Sequence, residues 1–109
     1  MHKNQSLLDF IQDSLKDMKA ENIQVLPVDQ ITSIADYMVI ATGTSSIHTR
    51  SIADRLIEKA KAQGVHILSS EGQRQANWVL IDFGEVIVHI MQGSARDYYQ
   101  LEKLWSIQE

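Results

Sequence analysis

The chain has 109 residues, 44% of them hydrophobic and 22% charged, with a formal net charge of −4 at pH 7; this is the length and composition of one folded domain around one hydrophobic core, not of a disordered chain. The lack of cysteine removes disulfide frameworks, thiolate zinc sites and cysteine nucleophiles together. The acidic balance disfavours direct nucleic-acid binding, DNA included, which needs clustered Lys and Arg, and better suits a basic protein partner.

"NQSLLDFIQDSLKDMKAEN" places Leu7, Leu8, Ile11, Leu15 and Met18 at helical spacing, with Asp and Lys on the remaining face, and predicts a first helix. "IQVLPV" and "DYMVIATG" are short β-branched-rich runs that predict two strands, with Pro27 tolerated at the end of the first. "SSIHTRSIADRLIEKAKAQG" predicts a second helix. Its stripe is Ile52, Ala53, Leu56, Ile57 and Ala60, Ser45 or Ser46 is its N-cap, and Gly64 is its stop. "VHIL" predicts a third strand, and a strand–helix–strand passage of this length favours a parallel pair with a right-handed crossover. "WVLIDFGEVIVHI" predicts a hairpin. "SARDYYQLEKLW" predicts a third helix, opening with Ser94 and Asp97 at capping-box spacing and aligning Tyr98, Leu101 and Trp105. The expected architecture is a single α/β domain over residues 1–109, with a mixed sheet of about five strands. No apolar run approaches the roughly 20 residues that cross a bilayer, and the N-terminus lacks a signal-peptide hydrophobic segment. No membrane association is expected, and a cytoplasmic location is.

A hairpin turn at Asp82 to Glu85 would pair Ile81 with Val86, Leu80 with Ile87, Val79 with Val88 and Trp78 with His89. Alternation then puts Val79, Ile81, Val86, Val88 and Ile90 on one purely aliphatic face, suited to packing under helices. The opposite face carries Trp78, Leu80, Asp82, Glu85, Ile87 and His89, an apolar centre ringed by carboxylates and one imidazole. This is the candidate partner-binding platform; alternatively, helix three or a second copy covers it.

Other chemistry finds little support. "ATGTSS" sets a Gly and hydroxyls before a helix, where an anion could bind, but it lacks the Lys and further glycines of a Walker loop, and ordinary capping explains it. No Asp-x-Asp offers paired carboxylates for metal-dependent nucleotidyl transfer. His2, His48, His66 and His89 show no ligand spacing, so no metal site is expected, and each histidine is expected to be solvent-facing or capping. Ser45 or Ser46 with His48 and Asp54 lie too close along one helix to converge as a triad. No catalytic residue is assigned.

Three blocks, "SIADYMVIATGTSSIHTRSIADRL", "EGQRQANWVLIDFGEVIVHIM" and "RDYYQLEKLWS", resemble the ribosomal silencing factor family, also known by the plant name Iojap, over roughly Ile23 to Ser106. The resemblance implies a nucleotidyltransferase-like fold without transferase activity, no enzyme function and no cofactor. It also implies binding to the large ribosomal subunit through that subunit's protein fourteen, on the face that meets the small subunit. Subunit joining would be hindered sterically and translation reduced when nutrients are short; homodimers occur among some relatives. On that footing Trp78 would be the anchor, Leu80 and Ile87 its apolar surround, and Asp82 and Glu85 an acidic rim, assigned by strand alternation and not by a transferred contact map. The chain departs from the family at Ile47, where a basic residue often precedes His48, at Asn77, where an acidic residue often precedes the tryptophan, and at Asp97 after Arg96. The rival expectation is an enzyme binding a nucleotide at Gly43 to Ser46.

Overall fold

The computed structural model describes residues 3–99. In chain order the elements are α1 (Lys3–Asp17), β1 (Glu21–Pro27), β2 (Tyr37–Gly43), α2 (Ser46–Ala62), β3 (Ser69–Glu71), β4 (Trp78–Asp82), β5 (Val86–Gln92) and α3 (Gly93–Tyr99). The five strands form one mixed sheet in the order β1-β2-β5-β4-β3, with β2 and β5 paired in parallel and the other neighbours antiparallel.

β2 and β5 are the central strands, and both are near-continuous apolar runs because both of their faces are covered. On the first face, Val39, Ala41, Val79, Ile81, Val88 and Ile90 are buried beneath Leu8, Ile11 and Leu15 of α1 and Ile52, Ala53 and Leu56 of α2. The expected aliphatic face is therefore the main core. On the second face, Met38, Ile40 and Met91 are buried with Val28 and Ala35 of the β1–β2 connection and Ala95 of α3. Arg96 pins α3 there: its buried guanidinium donates to Asn22 O (2.6 Å) and to Thr42 Oγ1 (2.7 Å). Asn22 has φ 49, a left-handed conformation that asparagine tolerates better than most residues, and it sits where the β1–β2 register shifts.

Several expectations need correction. Residues 65–68 are not a strand; Val65 and Ile67 turn inward and His66 and Leu68 outward, but the ladder begins only at Ser69. β2 and β3 run in the same direction, as two successive antiparallel steps from β5 require, yet they are not a pair, because β5 and β4 lie between them. α3 begins at Gly93, so Ser94 lies within its first turn and is not its cap. Leu101 and Trp105 lie outside the described residues.

Ser45 is the N-cap of α2, its Oγ accepting from His48 N at 3.0 Å. The strand-to-helix passage just before it is tight: a Cβ on Gly43 would stand 2.2 Å from Thr49 Oγ1 and 2.8 Å from Thr49 Cα. Gly43→Ala must push β2 away from α2, and overpacking of this kind costs about 1–3 kcal/mol. The urea midpoint should fall by a corresponding amount with an unchanged slope; an unchanged midpoint would contradict this packing.

Candidate functional site

Strands β4 and β5 are joined by a shorter turn than the spacing suggests. Phe83 N donates to Val86 O (2.9 Å), leaving only Gly84 and Glu85 between them, and Gly84 N donates to Asp82 Oδ1 (2.7 Å). The register is consequently Trp78 with Met91, Leu80 with His89 and Asp82 with Ile87, two residues away from the expected pairing of Trp78 with His89 and Leu80 with Ile87. A shift of two preserves the faces, since side chains alternate with period two. Trp78, Leu80, Asp82, Ile87 and His89 do share the second face, now beside Met91.

Trp78, Leu80, Asp82 and Ile87 are half-buried and Glu85 is exposed in the turn. α1 and α2 pack on the other face, while Trp78 and Ile87 lie against the small second cluster. Glu71 pairs with Leu80 from β3, and Glu71, Gly72, Trp78 and Leu80 line a shallow depression of about 250 Å³. That is below the size of an ordinary small-molecule site, roughly 300–1,000 Å³. The surface suits contact with a macromolecule better than enclosure of a ligand.

His89 departs from expectation. It is not solvent-facing but 5% exposed, because it occupies the middle of a central strand between Ile40 and Leu80. Trp78 Nε1–H donates to His89 Nδ1 at 2.9 Å, with ring centroids 5.8 Å apart. This bond assigns the remaining proton of the neutral ring to Nε2, which is buried without a partner among the described residues. Burial lowers the His89 pKa to about 4, so the imidazole offers no charge to a partner near neutral pH. Its contribution to the face is to orient the indole.

The segment leading into Trp78 is held from α2. Arg50 Nε donates to Gln73 O (2.8 Å) and Arg50 Nη2 to Arg74 O, while Gln92 Nε2 donates to Ala76 O (3.2 Å). Gly72 has φ +98, and a Cβ there would lie 2.2 Å from Trp78 O, so no other residue lets the chain pass so close. Local periodicity gives no sign of Arg50, whose acceptors are 23 and 24 residues away. Gly72 inside "EGQR" is the one cue in the sequence.

At the rival site, Thr44 N donates to His48 Nδ1 (2.9 Å), His48 Nε2 bonds Met18 O (2.8 Å) and Thr49 Oγ1 donates to Ser45 O (2.7 Å). With Ser45 Oγ already accepting from His48 N, the loop's polar groups largely satisfy one another. His48 thus ties the start of α2 to the end of α1. Among the described residues, no three His, Asp or Glu side chains group in a way that could hold a metal ion, and no helix is long and apolar enough to cross a membrane.

The low pKa of His89 has a consequence for stability. The unfolded chain takes up a proton near pH 6.5 and the folded chain only near 4, so the contribution is complete above about 6.5 and is lost as pH falls towards 4. The loss amounts to about 3 kcal/mol at most. Urea unfolding across this pH window should show a steeper decline for wild type than for His89→Leu; parallel curves would contradict a buried neutral imidazole.

Residues 2–109 match the family described as RsfS, ribosomal silencing factor during starvation. The ribosomal silencing factor RsfS of Haemophilus influenzae is 43% identical over 101 residues, covering 93% of this chain and 99% of that protein. That of Bacillus subtilis is 37% identical over 100 residues, covering 92% and 85%. A mouse protein named for mitochondrial assembly of the ribosomal large subunit is 30% identical over 103 residues, covering 92% of this chain and 45% of its own length. Among solved structures, a Chromobacterium violaceum protein superposes with a TM-score of 0.93 at 36% identity, covering 99% of this chain and 90% of its own. One from Bacillus halodurans gives 0.85 at 40% identity, covering 96% and 98%. With the family matched along almost its whole length and curated relatives above a third identical, the chain belongs to the ribosomal silencing factor family.

Proposed function

We propose that this domain acts in the cytoplasm by docking on the large ribosomal subunit, at its protein fourteen, and sterically blocking the small subunit from joining. The observation that carries this is the second face of the sheet: Trp78, Leu80 and Ile87 remain half-open beside the carboxylates of Glu71, Asp82 and Glu85, while α1 and α2 are committed to the other side. An aromatic anchor within an apolar surround and a charged rim is the usual anatomy of a durable protein contact. The acidic rim and the net charge of −4 complement a basic ribosomal protein. The names of the relatives point the same way: silencing factor in the bacterial proteins, large-subunit assembly in the mouse protein. No bond need be made or broken; occupancy of the joining face is sufficient. If a homodimer seats its second copy on this face, that copy competes with the subunit.

Purified chain should sediment with isolated large subunits and reduce their joining to small subunits. Trp78→Ala removes the anchor and its bond to His89, and should weaken binding by roughly 30-fold, the loss expected of a central aromatic contact. Asp82→Lys should instead slow association and alter its salt dependence. Undiminished binding by a folded Trp78→Ala variant would move the contact elsewhere.

A further inference from the structure

The strands bring one end of the sheet together at the hairpin turn: the C-termini of β1 and β4 and the N-termini of β2, β5 and β3. Among the described residues the exposed large hydrophobics are Ile31 (45%), Ile34 (70%), Ile47 (75%) and Leu68 (58%), and all but Ile47 lie at this end. Ile31 and Ile34 are not exposed because their loop is loose. Val28 N donates to Asp36 O (2.9 Å), Ile31 N and Thr32 N donate to Val28 O (2.9 Å each), and Ile34 N donates to Thr32 Oγ1 (3.1 Å). The loop's exit is tied to the turn, Asp36 N and Tyr37 N both donating to Glu85 O (2.8 and 3.1 Å). On the other side of the turn, Leu68 N donates to Asp82 O (2.8 Å) and the leucine side chain lies beside Gly84. A hydrogen-bonded frame therefore holds apolar side chains out into water, an arrangement that marks contact surfaces.

Among the described residues, the charges of the 28–36 loop and the hairpin turn have one sign. Asp29 and Glu85 are exposed, and Asp36 and Asp82 are half-buried. Residues 20–49, 64–70 and 75–95 contain no Lys or Arg at all. Arg50 reaches the carbonyls of Gln73 and Arg74, and Arg96 reaches Thr42, all at the opposite end of the sheet. Lys59 is on α2, on the first face, and is paired with Asp17 at 2.8 Å.

We infer that the 28–36 loop and the hairpin turn form a second contact surface for a Lys- or Arg-bearing, partly apolar element of a protein on the large subunit. The inference rests on the docking role proposed above and extends its footprint. Trp78 and the turn are separated by the length of β4, about 13 Å, which one interface of standard size spans. The acidity of the loop and turn disfavours RNA phosphates, and it equally disfavours a second copy presenting the same loop and turn. The isoleucines supply area to be desolvated, and the carboxylates supply the choice of partner.

The test measures binding of wild type, Trp78→Ala, Ile34→Arg and the pair Asp29→Lys with Glu85→Lys to isolated large subunits, each variant first checked for folding by circular dichroism. Ile34→Arg should weaken binding about tenfold, and the double charge reversal should slow association and reduce its salt dependence. A photo-crosslinking residue, Ile34→p-benzoylphenylalanine, should capture a ribosomal protein. If wild type does not bind large subunits, the docking role itself fails. If wild type binds and Trp78→Ala does not, while the Ile34 and charge variants bind as wild type, only the second surface is overturned. A crosslink at position 34 to ribosomal RNA or to another copy of the chain, or no crosslink, also overturns it.

Discussion

The parallel pairing of β2 with β5 is the constraint on which everything else depends. It sets Tyr37 to Gly43 beside Val86 to Gln92 residue for residue, and it requires both faces of both strands to be covered. One face is satisfied by α1 and α2. Among the described residues the other is covered by α3 and the β1–β2 connection, and the stretch of sheet around Trp78, Leu80 and Ile87 is left half-buried. Among the described residues, the platform is thus a remainder of the packing: α1 and α2 both lie on the first face, and only α3 and the β1–β2 connection pack on the second.

Within that remainder, polar groups fix geometry more than they display charge. The Trp78–His89 bond holds the indole at the cost of a buried imidazole Nε2 without a partner among the described residues. Leaving such a donor unpaired costs about 1–3 kcal/mol. Arg50 and Gln92 hold the backbone of the segment that delivers Trp78, and Glu85 holds the start of β2 through its carbonyl while its side chain stays in water. A surface built in this way is ordered before it meets a partner, so less ordering entropy is spent on association.

Helices and the alternation of strands were legible because 3.6-residue and two-residue periods are local properties. Leu8, Ile11 and Leu15 of α1 and Ile52, Ala53 and Leu56 of α2 are buried as their spacing implies. The composition of the platform survived an error in register because the error was even: the turn has two residues between its bonded ends and not four, and β5 slides by two. Strand order was not legible. Val65 to Leu68 alternate as a strand does, but alternation reports extended chain and not a ladder partner, and the parallel partner of β2 lies beyond β3 and β4 in the sequence. Nor could spacing reveal that His89 is buried, since its burial comes from Ile40 and Leu80 on neighbouring strands.

The central proposal, steric exclusion from the joining face, is tested most directly by order of addition. Large subunits preincubated with stoichiometric chain would be mixed with small subunits, and joining followed by light scattering with sedimentation of the products. Steric exclusion predicts slowed joining, with the chain sedimenting with free large subunits and absent from joined ribosomes. Chain that travels with joined ribosomes, or joining at an undiminished rate while the large subunit carries the chain, would contradict it.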